Sequence, residues 1–421
     1  MVDLDQLLAA DAPPDELWRT DPDQYWRKLD QAVGDRDSPA AAISLPALRH
    51  NVDDLRDRAA GVPLRIASKS LRVRSIIDAL VRLDHVVGVL AYDLAEATWL
   101  ATDHAGRPGI TDVLMGYPST NRRAIAELCT NTQALQRVTV LVDSVEQLDL
   151  MDATCAPGRR EPIRVAIDLD ASLRLPVIGD VGVLRSPVHT TGQAVRLART
   201  IVDRPGFALV GVMSYEAQVA GVGNDVPGKA LENNLIRTMQ RFSMNELLAR
   251  RARAITAIRE LADLEMVNAG GTGSIEATAK DPMVTDIAVG SGFFGGHLFD
   301  NYHHFSPAPA LAFGLAVVRK PRPDVVTCHG GGWIASGPPG IDRLPKVAWP
   351  AGLEYQPREG AGEVQTPLRG DAATRLHVGD RVWFRHTKSG ELAEHVNTIA
   401  LVDQGLVGEV ETYRGEGKAF L

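Results

Sequence analysis

Between residues 63 and 290 the chain repeats one pattern, a short apolar run of β-prone residues followed by a stretch with helical spacing. The runs lie at 63–68, 86–91, 112–117, 138–143, 163–169, 208–215, 265–269 and 286–290, and the intervals hold amphipathic patterns such as 144–153, 191–203 and 230–263. Runs that are continuously apolar, rather than alternating, are what parallel strands buried on both faces require. Eight strand–helix units in succession point to a closed barrel over an open doubly wound sheet. The open sheet would more often carry a Gly-x-Gly-x-x-Gly after its first strand, and none occurs there. The expected fold class is α/β, a (β/α)8 TIM barrel with a C-terminal β domain.

The flanks differ in texture. After about residue 305 prolines interrupt the chain (Pro307, Pro309, Pro321, Pro323, Pro345, Pro350), helical spacing vanishes, and runs such as Arg381–Arg385 and Thr398–Val402 are alternating or β-branched. Residues 306–421 are therefore assigned to the β domain, and 36–305 to the barrel, including an extended Ala40–Leu45 and a helix from Pro46 through Arg58. Residues 1–35 are polar, with a breaker at Asp11-Ala12-Pro13-Pro14 and a helix start at Asp15, and are expected to form an N-terminal arm packing on the β domain. The basic segment 230–263, with Arg237, Arg241, Arg250, Arg251, Arg253 and Arg259, reads as a solvated helix face.

Bulk properties exclude whole classes. A net charge of −8 opposes a general nucleic-acid surface, which needs an excess of lysine and arginine. No stretch approaches ~20 apolar residues free of charges, so no membrane span is expected. The N-terminus has no apolar core of a signal peptide, and the cysteines, Cys129, Cys155 and Cys328, are widely spaced with no Cys-x-x-Cys, as in reduced cytoplasmic proteins.

Barrel enzymes place their working residues at the C-terminal ends of the strands. Here the first strand ends at Lys69, the third runs into Gly116-Tyr117, the fifth into Asp168 and Asp170 followed by Arg174 and Arg185, and the sixth into Tyr215-Glu216. The seventh runs into Asn268-Ala-Gly-Gly-Thr-Gly-Ser274 and the eighth into Gly290-Ser-Gly-Phe-Phe-Gly-Gly296. By position alone Lys69 reads as a snorkelling strand-edge residue sooner than as a reactive amine. Successive glycines let backbone N–H groups converge on an anion, and barrels commonly bind phosphate after strands seven and eight. A phosphate cradle facing a strand-end lysine suggests pyridoxal 5'-phosphate.

The stretch Arg65-Ile-Ala-Ser-Lys-Ser70, with Asp168-Leu-Asp170, Tyr215, Asn268-Ala-Gly-Gly-Thr-Gly273, Gly290-Ser-Gly-Phe293 and Val378-Gly-Asp-Arg-Val382 leading into His395, resembles the fold-type III pyridoxal-phosphate enzymes. These are the alanine racemase-like group, and the likeness is to their D-threonine aldolase and D-serine dehydratase branch (amino acid deaminase or aldolase). The resemblance implies that Lys69 is the Schiff-base lysine, forming the internal aldimine and moving protons at Cα. It implies that Gly271, Thr272, Gly273, Gly290, Ser291, Gly292 and Phe293 bind phosphate, and that Tyr215 lies beside the cofactor. An arginine after strand five supports the ring; Arg185 is favoured, with Arg174 as the alternative.

The branch also carries a His-x-Cys or His-x-Asp pair for a divalent ion (zinc, manganese or magnesium) that acts on the substrate β-hydroxyl. His395 is in register, but Asn397 replaces the anionic ligand with a weaker neutral oxygen. Glu394 or Cys328-His329 are candidate compensating ligands, and His395 is equally an acid–base or core residue. What the resemblance implies is a homodimeric lyase for D-β-hydroxy amino acids, working by retro-aldol cleavage or by dehydration with deamination. The alternatives are a racemase on the same scaffold, a non-catalytic pyridoxal-phosphate protein, or a cofactor-free phosphosugar enzyme.

Overall fold

The structure, a computed structural model, describes residues 3–8, 16–104, 106–175, 179–338 and 340–421. The chain divides into two compact units. One comprises Leu55–Lys69, Val81–Gly290 and Phe420–Leu421, and the other Ser70–Leu80, Ser291–Ala419 and the described part of Met1–Asp54.

The first unit is built on a closed barrel of parallel strands: β1 (Leu64–Ala67), β2 (Val86–Ala91), β3 (Val113–Met115), β4 (Val138–Val142), β5 (Ile163–Asp168), β6 (Phe207–Ser214), β7 (Met266–Ala269) and β8 (Asp286–Val289). The ring closes where Leu64, Arg65 and Ile66 of β1 lie opposite Ile287, Ala288 and Val289 of β8. The interior is filled by one side chain from most strands, Leu90, Leu114, Leu141, Ala166, Met213, Met266 and Ala288, with Ala67 and Tyr215 packed against them. The barrel is a solid core, and its chemistry is confined to its ends. The eight apolar runs of the sequence are these eight strands.

Side-chain caps fix where the outer helices start. Asp93 accepts from the Ala95 amide (2.7 Å), Asn121 from the Ala124 amide (3.1 Å), and Thr190 and Gln193 form a reciprocal capping box. Each such cap contributes about 1 kcal/mol and holds the loop that leaves the strand before it. The long helix Ala230–Arg259 departs from the expected solvated face: Arg250 and Arg251 are buried. Arg250 bonds the Asp170 and Ser172 carbonyls and Glu246, and Arg251 pairs with Glu216 and Asp281. A buried guanidinium is tolerated because carboxylates and carbonyls fill its fork.

The second unit carries a nine-stranded sheet. Its central strand Leu311–Arg322 pairs antiparallel with Ala40–Ser44, Val325–His329 and Arg381–Arg385, while Ala40–Ser44 also pairs parallel with Thr398–Val402. The extended segment Ala40–Ser44, assigned from sequence to the barrel span, therefore belongs to this sheet, and so does the chain from Ser291 onward to this unit. The reason is physical: a strand buried along its whole length, as this one is, has the same apolar sequence in either setting. The helix Pro22–Val33 lays Tyr25, Trp26, Leu29 and Val33 on Ala40, Ala42, Ala312, Trp383, Ala400 and Val402 of the sheet. The breaker at 11–14 and the helix start at Asp15 lie outside the described residues; the helix that follows is Leu17–Thr20. Among the described residues no helix is long and apolar enough to cross a membrane.

Candidate functional site

At the C-terminal mouth of the barrel, β1 ends in a 3-10 turn, Ser68–Ser70, pinned by Ser68 Oγ donating to the Leu90 carbonyl at 3.2 Å. The turn presents Lys69 outward, so its side chain is exposed at the mouth rather than held against the core. Lys69 Nζ donates to Tyr117 Oη at 2.9 Å, from the loop after β3. Tyr117 in turn acts on Tyr215, after β6. Burial, reinforced by the neighbouring Tyr117 and only partly opposed by Arg185, pushes the Tyr215 phenol up to about 12. The Arg185 guanidinium lies 6.0 Å from the Tyr215 ring centroid. Lys69 with Tyr117, and Arg185 with Tyr215, thus form two contacting pairs, with Tyr117 near enough to Tyr215 to act on its phenol.

The rival arginine is elsewhere. Arg174, in the hairpin Leu173–Leu175/Gly179–Val181, is half exposed and paired with Asp170 at 3.2 Å. Burial alone would raise the Asp170 carboxyl, but hydrogen bonds from Ser172, Arg174 and His189 outweigh it and hold the group below its ordinary range. Asp168 meets the opposite surroundings. Burial, with the Asp143 and Asp170 carboxylates nearby, pushes it up to about 7 despite Arg185. Asp143, at the end of β4, is raised by its own burial.

The loop after β7 reaches the same group. Gly271 faces the Tyr215 ring so closely that an added Cβ would lie 3.0 Å from Tyr215 Cε2 and 3.0 Å from Ala220 Cβ, so a side chain there would require both neighbours to give way. Gly270 has φ +78°, the left-handed region that favours glycine. The Gly270 amide donates to Glu216 and the Gly271 amide to Ser274 Oγ, at 3.2 and 3.1 Å. Gly273 is buried, and its amide meets no acceptor among the described residues. On the outer side Arg58 tethers the loop, donating to the Thr272 carbonyl and to Glu276, both at 2.6 Å. Of the stretch after β8, Gly290 closes the barrel unit, whereas Ser291, Gly292 and Phe293 open the helix Ser291–Phe294 in the other unit.

The expected metal ligands lie in the sheet-bearing unit. The His395 ring stacks on Trp333 (centroids 4.9 Å apart, planes at 2°), and its Nε2 is 3.1 Å from Glu391 Oε1. Asn397 is exposed, and Glu394 is paired with Arg72. Cys328 is wholly buried in its strand, where burial pushes the thiol up to about 12. Among the described residues no three His, Cys, Asp or Glu side chains gather as a metal-holding set. His395 with the Glu391 carboxylate beside it and the neutral Asn397 amide fall short of the donor set that a resident divalent ion takes.

Tyr117 and Glu216 stood in the strand-end reading without being selected. Their roles depend on partners from other strands, and the position of a residue at a strand's C-terminal end was the one signal for both.

A family model described as the alanine racemase N-terminal domain matches residues 43–297. Among solved structures the chain resembles D-threonine aldolase from Filomicrobium marinum, with a TM-score of 0.75 and 20% identity over 91% of this chain and 96% of that one. It also resembles D-threo-3-hydroxyaspartate dehydratase from Delftia sp. HT23 (TM-score 0.67, 19% identity, 90% and 97% covered). Alanine racemase from Corynebacterium glutamicum is more distant (0.53, 16%, 83% and 92%). At such identities the likeness shows the fold. No curated protein matches the sequence.

Proposed function

Because this chain belongs to the alanine racemase N-terminal domain family, we propose that it is a pyridoxal-phosphate-dependent lyase acting on D-configured β-hydroxy amino acids. The observation that carries the reading is the grouping at the barrel mouth of an exposed Lys69 amine, 2.9 Å from Tyr117, with Tyr215 seated against the loop after β7. The residues fit the cofactor. The unpartnered Gly273 amide is a donor suited to a phosphate, and the close approach of Gly271 to Tyr215 leaves the loop free of side chains at that point. Lys69 would hold the cofactor's aldehyde carbon, the 271–273 loop its phosphate, and Tyr215 with Arg185 its ring.

When bound, pyridoxal phosphate supplies an electron sink for negative charge at the substrate carbon next to the amine. The chain's own groups do the rest. Lys69 Nζ takes or returns the proton at that carbon, with Tyr117 Oη in hydrogen-bond contact to pass it on. Tyr215, pushed to about 12, stays a neutral phenol at working pH, and Asp168, near 7, carries a proton into the neutral range. The choice of a lyase and of D-β-hydroxy substrates draws on the sequence resemblance and on relatives named as a D-threonine aldolase and a D-threo-3-hydroxyaspartate dehydratase. A homodimer goes with this reading and is checked by sedimentation.

The test incubates the protein with pyridoxal phosphate, reduces it with borohydride and maps the adduct, which is expected on Lys69 and absent from Lys69→Ala. D- and L-threonine and D-threo-3-hydroxyaspartate are then assayed. Aldehyde with glycine, or oxo acid with ammonia, from the D-isomers alone supports the lyase. Inverted amino acid as the product replaces it with a racemase, and no adduct at Lys69 removes the cofactor.

A further inference from the structure

Glu216 directly follows Tyr215, and its side chain is entirely buried. Its Oε2 accepts from Arg251 Nη2 and from the Gly270 amide, both at 3.2 Å, and its Oε1 from Ser274 Oγ at 3.3 Å and from Thr278 Oγ1. Arg251, equally buried, is held in turn by Asp281 Oδ2 at 2.8 Å and the Ser214 carbonyl at 3.1 Å. One carboxylate therefore joins the end of β6, the helix Ala230–Arg259 and both ends of the turn 270–278.

The direction of these bonds has a consequence for the loop. Ser274 donates its proton inward to Glu216, which turns an oxygen lone pair toward the Gly271 amide at 3.1 Å. The Gly270 and Gly271 amides are both occupied in this way, and the buried Gly273 amide is left as the donor. Because Glu216 adjoins Tyr215, whose ring seats on Gly271, the same carboxylate fixes the aromatic wall and the anion loop as one piece.

We infer that Glu216 is the positioning residue for the phosphate end of the cofactor: through Gly270 and Ser274 it shapes the 270–274 loop to accept a phosphate monoester on the Gly273 amide. The inference rests on the pyridoxal-phosphate reading. It assigns phosphate selectivity to a buried side chain that touches neither cofactor nor substrate.

The full-length protein is resolved from cofactor and titrated with pyridoxal phosphate and with pyridoxal, which lacks the phosphate, following visible absorbance and tryptophan fluorescence. The wild type is expected to prefer pyridoxal phosphate. Glu216→Gln and Ser274→Ala each lower that preference by about tenfold, the size of one hydrogen bond to a charged group, with the dissociation constant for pyridoxal changed less than about twofold. A role confined to holding the fold would lower the melting temperature and weaken both ligands alike, and that result overturns the inference. So does an unchanged preference in the variants. If Glu216→Gln does not fold, Ser274→Ala decides, since it leaves the Glu216–Arg251 pair in place. A wild type that binds neither compound overturns the cofactor reading itself, whereas a wild-type preference retained in the variants overturns this inference alone.

Discussion

Asp168 should make the protein less stable as the pH rises, and Asp168→Asn should remove that loss. The carboxyl sits at the end of β5, where burial and the nearby Asp143 and Asp170 raise it to about 7 from an ordinary 3.8, with Arg185 the opposing cation. In the unfolded chain it ionises near 3.8, while in the folded chain it keeps its proton to about 7. Between those values the folded state binds more protons, so stability falls with rising pH and levels off above about 7. At about 1.4 kcal/mol per unit, the full span amounts to about 4 kcal/mol, of which about 2–3 kcal/mol develops between about pH 5 and about pH 8. Asparagine keeps the shape, cannot ionise, and also relieves Asp143 of a like charge. Urea unfolding of the cofactor-free wild type and Asp168→Asn across that range should give curves that diverge as pH rises, the variant being the more stable at the alkaline end. A difference in stability that stays constant with pH, or one that narrows, would refute the reasoning.

Arg65 is wholly buried between two strand ends, bonded by two nitrogens to Asp112 (2.7 and 2.9 Å) and by Nε to Asp286 (2.8 Å). Arg65→Met strands those carboxylates and should cost about 3–5 kcal/mol by urea unfolding, with Asp286→Asn in the same chain restoring part of it. Tyr117→Phe removes the hydroxyl beside Lys69 Nζ and should slow turnover roughly ten- to hundredfold at unchanged pyridoxal-phosphate affinity, measured by single-turnover kinetics and absorbance titration. Since no three His, Cys, Asp or Glu side chains gather at His395 and Asn397 among the described residues, exhaustive chelation should leave turnover within about twofold. A rate lost on chelation and restored by manganese or zinc would show that ligands outside that set complete a site.

The barrel was legible because its strands are covered on both faces, so the apolar runs mark them without help from spacing. The same property hid the fate of Ala40–Ser44, whose Ala-Ala-Ala-Ile-Ser is as well suited to the centre of the nine-stranded sheet, where it lies. The place of Lys69 at a strand's C-terminal end was legible from the apolar run before it. Choosing between Arg174 and Arg185 was not, because both follow β5 closely; only the folded hairpin turns one onto Asp170 and leaves the other over Tyr215. Arg250 and Arg251 misled for a related reason. A run of arginines on a long helix has the composition of a solvated face, and the carbonyls and carboxylates that bury these two come from segments far away in sequence.

His395 shows the limit of motif reading most directly. Its register with a metal-binding pair is a property of the linear sequence, and what a histidine does depends on which ring nitrogen is left free. Here Nε2 faces Glu391, one turn back on the short helix Ser389–Ala393, and the ring lies flat on Trp333, which is itself packed on Phe313 at 4.2 Å. Nε2 is turned to a carboxylate, and the neighbour that the sequence resemblance would make an anionic ligand is the neutral amide of Asn397. The replacement of one ligand and the stacking of the other are consistent with each other: an aromatic shelf and a carboxylate hold the ring in place by means that require no ion. In the barrel, by contrast, Lys69, Tyr215 and the 271–273 loop keep both the sequence pattern and the spatial connection. Sequence pattern and spatial connection coincide in the barrel and diverge at His395, and the reaction assays and the chelation experiment test the two separately.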